Sequence, residues 1–169
     1  MTRKIHGMTA SELMAKLQAD PAFRAREAKD EEKMRRLDEH FARLEAPILR
    51  DLAARGFVAM SLDDILDKHL PLPEPIVEVI LSWIPRVEDE RLLESLIRRL
   101  GASKKSFDGR PLAACFDKTR SEGIKWAIIN TIAIVGPTSI EDWLAKTLKS
   151  DTWRKTYSAL VPKKRRKRK

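Results

Sequence analysis

The seven residues 163–169 are all basic and form the longest run of like charge in the chain. They read Lys-Lys-Arg-Arg-Lys-Arg-Lys and supply seven of its nine net positive charges. Adjacent like charges repel one another, so this segment is expected to be a disordered tail. Such a tail can bind nucleic-acid phosphates by releasing counterions, or it can present a basic peptide to a receptor, as a nuclear-import signal does. Its candidate binding residues are Lys163, Lys164, Arg165, Arg166, Lys167, Arg168 and Lys169.

A second group of basic residues lies in the middle of the sequence. Several of them follow Gly101 or surround Thr119, at predicted helix ends, and they are expected to line one edge of a helical array. A basic stripe of this kind suits contacts to nucleic-acid phosphates that do not read the base sequence. The alternative is ordinary solvated surface. The eight members are Arg98, Arg99, Lys104, Lys105, Arg110, Lys118, Arg120 and Lys125.

A tryptophan with basic neighbours is a third candidate. Trp153 is followed directly by Arg154 and Lys155. An exposed aromatic ring beside cations can stack on a nucleobase or fill a pocket in a partner protein. Because the helical array is predicted to end near Trp153, this tryptophan is expected to be the most exposed of the four. The other three, expected in the core, are Trp83, Trp126 and Trp143.

The common motifs of catalytic and metal sites do not occur in the sequence. The three histidines form no His-Glu-Xaa-Xaa-His arrangement, and there is no glycine-rich phosphate loop and no Gly-Xaa-Ser-Xaa-Gly nucleophile motif. The single cysteine, Cys115, has no partner for a disulfide or a cysteine-based zinc site. It falls on an apolar helical stripe and is predicted to be a small buried hydrophobe. We therefore expect no enzymatic activity, no cofactor and no metal.

Outside the tail the charge is nearly balanced. Residues 1–56 hold 12 basic and 10 acidic residues, and residues 57–162 hold 15 of each. With 43% hydrophobic residues, the 169-residue chain can bury the core of one ordinary domain. No window reaches the roughly 20 apolar residues of a membrane span, and no signal-peptide core follows the first residues. These features predict a cytoplasmic protein, nuclear only in a eukaryotic host.

The spacing of apolar residues predicts an all-α protein. Runs at three- and four-residue steps recur along the chain, and no alternation of period two is long enough for a sheet. Prolines and glycines divide these runs into segments. The predicted organisation is a charged N-terminal helical arm, a short helix with a proline-rich link, a set of helical repeats and the basic tail, at residues 1–56, 57–74, 75–162 and 163–169.

The N-terminal arm has recognisable helix ends. Thr9 and Glu12 are spaced as a capping box, and Asp20-Pro21 is predicted to stop one helix and start another. Opposite charges recur at helical spacings over residues 24–43. They indicate either a solvated helix held by weak ion pairs or a docking arm for a partner.

Helical segments recur along the second half of the chain. Those starting near Glu74, Asp108 and Thr138 resemble one another at offsets of 34 and 30 residues, and those near Glu88 and Glu122 are 34 residues apart. A period of roughly 30 to 40 residues built from two helices is typical of an α-solenoid, whose units bury their apolar faces against their neighbours.

The segment from Ile124 to Asp151 resembles the short HEAT-type repeat also found in phycobilisome-lyase HEAT-like proteins. It has a first helix with small residues, a Gly136-Pro137 turn and a second helix with spaced leucines. Residues 9–160 also resemble a group of uncharacterised HEAT-repeat proteins common in actinobacteria, through Met-Thr-Ala-Ser-Glu-Leu-Met, Ala-Pro-Ile-Leu-Arg-Asp-Leu and Lys-Trp-Ala-Ile-Ile-Asn. The resemblance implies a short HEAT-like α-α superhelix, armadillo-like in fold, with an interaction role. No catalytic residue carries over from it.

Two functional hypotheses follow. The first is a non-enzymatic adaptor or scaffold that binds another protein on its solenoid surface. The alternative is a nucleic-acid-associated protein that binds DNA or RNA backbone through the tail and the cluster from Arg98 to Lys125. Self-association also stays open, because about two full helix pairs are predicted and a self-supporting solenoid needs roughly three.

Overall fold

The computed structural model describes residues 9–161, apart from the side chain of Leu66. Within this range the chain is all-α, as predicted, with nine helices and no strand. The candidate residues of the basic tail, Lys163 to Lys169, lie outside the described residues. The chain divides into two compact units, residues 1–42 and 43–169.

The first unit contains α1 (Ala10–Ala19) and the start of α2 (Pro21–Ala54). The predicted capping box is confirmed: Glu12 N donates to Thr9 Oγ1 at 3.2 Å, and Thr9 N donates to Glu12 Oε2 at 2.8 Å. Asp20 ends α1 and accepts a hydrogen bond from Ala22 N at 2.8 Å, which starts α2. No side chain in residues 9–42 is buried. The helical part of the first unit therefore carries no core of its own.

The second unit contains the end of α2 and seven further helices in its described part. Ile48 and Leu52 of α2 are completely buried there, so the division between the units lies inside α2 and well before residue 56. The remaining helices are α3 (Leu62–Lys68), α4 (Glu74–Trp83), α5 (Glu90–Leu100), α6 (Arg110–Lys118), α7 (Glu122–Val135), α8 (Glu141–Thr147) and α9 (Asp151–Leu160).

The core of the second unit is built around α7. This helix packs against α5, α6 and α9, and α4 packs against both α5 and α6. Leu96 and Leu100 of α5 and Ile128 of α7 are completely buried. Full burial of one such side chain contributes roughly 1.5–3 kcal/mol. Within residues 9–161, no helix combines the length and the apolar composition needed to cross a membrane.

Backbone hydrogen bonds join the α5–α6 loop to the segment before α4 and to the segment before α8. Leu72, before α4, donates its N–H to Ala102 O at 2.9 Å and accepts from Lys104 N at 3.0 Å. At the other end of the same α5–α6 loop, Thr138 N donates to Phe107 O at 2.8 Å, and Gly109 N donates to Thr138 O at 3.0 Å. The loop from 101 to 109 is therefore held on both sides by backbone hydrogen bonds.

Two glycines meet steric requirements in these segments. Gly136 ends α7 with φ of 64°, in the left-handed region that side chains with a Cβ disfavour. Gly109 lies against Ile140, and a Cβ at position 109 would come within 2.9 Å of Ile140 Cδ1. Glycine at position 109 therefore lets the start of α6 pack closely against Ile140, which precedes α8.

Truncating the core should destabilise the fold strongly. We expect Leu96→Ala to lower the free energy of unfolding by about 2–5 kcal/mol, because Leu96 is completely buried and the cavity cannot be refilled. Urea denaturation followed by circular dichroism measures the change. Met60→Ala is the matched control, since Met60 is 89% exposed and its loss should cost less than about 0.5 kcal/mol. Equal effects of the two substitutions would contradict this core.

Candidate interaction surface

Most of the basic candidate side chains within residues 9–161 are paired with acidic ones. Lys105 Nζ lies 3.0 Å from Glu74 Oε2, and Lys125 Nζ lies 2.9 Å from Glu122 Oε1. Exposed pairs of this kind add little stability, about 0–1 kcal/mol, but each cancels a local positive charge. The paired side chains, six of the ten described basic candidates, are Arg98, Arg99, Lys105, Arg110, Lys125 and Arg154, with partners Glu94, Asp63, Glu74, Asp108, Glu122 and Asp151.

The Arg110–Asp108 pair is held at several points. Arg110 Nη2 lies 2.5 Å from Asp108 Oδ2, and Arg110 N donates to Asp108 Oδ1 at 3.0 Å. Hydrogen bonds from Arg110 hold the pKa of Asp108 below its usual value, and the carboxylate in turn raises the pKa of Arg110. A phosphate group approaching Arg110 would have to compete with this carboxylate.

The other four basic candidates form no ion pair with any residue in the range 9–161. Lys104 lies in the loop before α6, whereas Lys118 and Arg120 lie at the far end of that helix, and Lys155 is on α9. The nine residues of α6 at about 1.5 Å each separate the two ends by roughly 12 Å. Lys104 is thus separated along α6 from Lys118 and Arg120.

Arg99 differs from the other described basic candidates because it is buried. Its exposed fraction is 8%, and its Nη2 donates to Asp63 Oδ1 of α3 at 2.8 Å. Arg99 Nε is also buried and has no hydrogen-bond partner among residues 9–161. The side chain links α5 to α3 and, unlike the expected surface position, is buried.

Helix α7 presents two exposed apolar side chains beside α5. Trp126 and Ile134 of α7 are 39% and 44% exposed, and their spacing of eight residues places them on one face of the helix. The Arg98 guanidinium carbon lies 5.0 Å from the centre of the Trp126 ring, and Arg98 Nη2 lies 2.5 Å from Glu94 Oε1. We call these four residues, Glu94, Arg98, Trp126 and Ile134, the α5–α7 face.

The exposure of the tryptophans differs from the prediction. Trp153 is only half-buried, with its ring edge-on to Phe116 at 5.3 Å between centroids, because α9 brings it against α6. Trp126 is the more exposed ring, since the neighbours of α7 leave its outward stripe uncovered. The helical period of the apolar residues alone did not distinguish the core positions of α7 from this outer one.

Cys115 lies beside a small cleft at the α6–α7 turn. The cleft has a volume of about 290 Å³ and is mostly apolar, with Val87, Leu93 and Lys118 among its lining residues. Burial raises the pKa of the Cys115 thiol, and the charge of Lys118 offsets this only in part. No group of side chains in the described range has the composition of a metal site.

Comparisons with known proteins do not identify a family for this chain. The chain matches no protein-family model, no curated protein and no solved structure. The α5–α7 face is thus the best-defined candidate site within residues 9–161.

Removing Asp63 alone should lower the free energy of unfolding more than removing Asp63 and the charge of Arg99 together. We expect Asp63→Ala to lower the free energy of unfolding by about 1–3 kcal/mol, because it leaves a buried guanidinium unpaired. Adding Arg99→Met to that variant should recover most of the loss, since an apolar side chain of similar length fills the site. Urea denaturation of the single and double variants measures both effects. A double variant less stable than Asp63→Ala would contradict this account.

The thiol of Cys115 should react slowly in the folded protein. Its raised pKa lowers the thiolate fraction at neutral pH, and its partial burial restricts access. We expect a chromogenic disulfide reagent to modify it roughly tenfold more slowly in buffer than in denaturing urea. Equal rates in the two solvents would contradict this prediction, because the folded chain would then neither restrict access to the thiol nor raise its pKa.

Proposed function

We propose that this chain is a short HEAT-like repeat protein that acts as a non-enzymatic adaptor and binds another protein on its α5–α7 face. The exposed Trp126 ring, with Arg98 stacked over it, carries the proposal. Tryptophan and arginine dominate the binding energy of protein interfaces because they bury large areas and still offer directed polar contacts. Their combination on a rigid pair of helices is a suitable anchor.

The repeat part of the proposal is supported by contacts that recur along the chain. Trp83 Nε1 of α4 donates to Asp51 of α2 at 2.8 Å, and Trp143 Nε1 of α8 donates to Asp117 of α6 at 3.2 Å. The backbone bonds between connecting segments recur in the same way, before α4 and before α8. Stacked two-helix units produce recurrences of this kind, because each unit contacts its neighbours through equivalent positions.

The spacing on the face suggests the chemistry of the partner. Eight residues of α-helix place Trp126 and Ile134 about 12 Å apart. An amphipathic helix with apolar side chains at i and i+7 spans about 10.5 Å, which suits both positions at once. The partner we propose is therefore an apolar helix face of another protein.

Binding of nucleic-acid backbone is the second candidate. It is favoured by the four basic side chains without an ion pair in residues 9–161, Lys104, Lys118, Arg120 and Lys155, and by the composition of residues 163–169. It is weakened by the pairing of the other described basic candidates and by the burial of Arg99. Counterion release makes such binding fall steeply with salt, which distinguishes it from an apolar interface.

The adaptor proposal is tested by affinity capture with variants of the face. The full chain, Trp126→Ala and the control Met60→Ala are immobilised and exposed to nuclease-treated extract of the source cells at two salt concentrations. We expect specific proteins to be retained by the full chain and by Met60→Ala and lost at least about fivefold with Trp126→Ala, as for an interface hot spot. Circular dichroism checks that all three are equally helical.

Two results would overturn the adaptor proposal. One is a captured set that is the same for Trp126→Ala and Met60→Ala. The other is fluorescence anisotropy in which the full chain binds labelled duplex DNA or structured RNA tightly while a 1–162 truncation does not, with affinity falling steeply as salt rises. That second result would make nucleic acid the leading partner.

A further inference from the structure

The apolar residues of α2 in the first unit follow a heptad pattern. Met34, Leu37 and Phe41 are separated by three and then four residues, and Phe23 lies two heptads before Leu37. In the notation abcdefg, Met34 and Phe41 occupy a, and Leu37 and Phe23 occupy d. Steps of three and four residues keep one narrow seam facing a partner helix in a left-handed coiled coil.

Within residues 9–42 this seam is left largely uncovered. Met34 is 56% exposed, and Phe23, Leu37 and Phe41 are only half-buried although they are large and apolar. Burying an apolar side chain contributes roughly 1.5–3 kcal/mol, so a helix with such a seam gains by pairing.

Two groups of charged side chains between Arg26 and Glu39 of α2 differ in their heptad positions. The ion pairs of Glu32 with Arg35 and Arg36, and of Arg35 with Glu39, all lie at b, c and f, on the side away from the seam. Four charged side chains that flank the seam form no ion pair within residues 9–161, namely Arg26 and Lys33 at g and Glu31 and Asp38 at e.

In a parallel, in-register pair of helices each g residue faces the e residue five positions later on the other helix. Arg26 would then face Glu31, and Lys33 would face Asp38, each with opposite charge. In the antiparallel alignment that packs Met34 against Leu37, Glu31 would face Asp38 of the other helix with like charge, and Lys33 would face His40. The unpaired flanking charges therefore fit the parallel pair.

We propose that two copies of this chain associate through residues 21–42 of α2 as a parallel, in-register coiled coil. The contact centres on Met34, Leu37 and Phe41, because Glu27 and Asp30 occupy the a and d positions before them. The partner is a second copy, since the two g-to-e pairs are complementary within one sequence. The inference uses only the first unit and does not depend on the proposed function of the α5–α7 face.

Charge reversal at one g-to-e pair tests the proposal. Sedimentation equilibrium on the full chain should give a mass that rises with concentration toward twice the 19.4 kDa of one chain. Lys33→Glu alone and Asp38→Lys alone should each weaken self-association at least about tenfold, because both copies then place like charges together. An equimolar mixture of these two variants should associate as tightly as the unaltered chain, since both interhelical pairs are opposite in charge again.

Lys29→Glu is the matched control, because position 29 is a c position away from the seam and the charge change equals that of Lys33→Glu. It should leave self-association unchanged, and circular dichroism should show equal helicity in all variants. A chain that stays at 19.4 kDa at every concentration would overturn the proposal and leave the seam to a helix of another protein. Self-association that is insensitive to both reversals, or a mixture that does not recover, would also overturn it.

Discussion

Close packing of α7 is the constraint on which the second unit depends. Eight of its fourteen residues are buried, and α5, α6 and α9 all pack against it. Small side chains at Ala127 and Ala133 let neighbouring helices approach, and the buried Thr131 hydroxyl donates to Ile97 O at 2.9 Å, so its polar group is satisfied. What this packing leaves uncovered is one narrow stripe. The exposed ring of Trp126 and the Ile134 side chain lie on it, so the proposed binding surface is a direct result of how the core is filled.

Net charge is a poor guide to the surface of this molecule. The formal charge of +9 comes mostly from residues 163–169, and in the body most candidate cations have a carboxylate within 4 Å. The position of the acidic residues therefore decides which cations can reach a ligand. In the second unit they pair with five of the eight members of the cluster from Arg98 to Lys125. In the described part of the first unit, the ion pairs of Glu32 and Arg35 lie on the side of α2 away from the seam.

Helix positions were largely predictable because their ends are set by local chemistry. The capping box at Thr9, the break before Pro21 and the left-handed Gly136 act within a few residues, and a sequence displays them directly. The exposure of single side chains was not predictable. Whether Arg99 or Trp126 meets solvent depends on helices that are distant in sequence, α3 in one case and the neighbours of α7 in the other. The fold class could therefore be predicted from the spacing of apolar residues. The exposure of individual side chains depends on the tertiary arrangement.

The serial bonding of the connecting segments has a consequence for cooperativity. Because the loop from 101 to 109 is bonded to the segment before α4 and to the segment before α8, neither neighbour can detach without breaking backbone bonds of the same loop. Helix pairs joined only by side-chain packing can open one at a time, as in long repeat arrays. In this chain the amide protons of Leu72, Lys104, Gly109 and Thr138 belong to one network. Slow hydrogen exchange would therefore extend from the segment before α4 through this loop to the segment before α8, and these segments would open together and not one at a time.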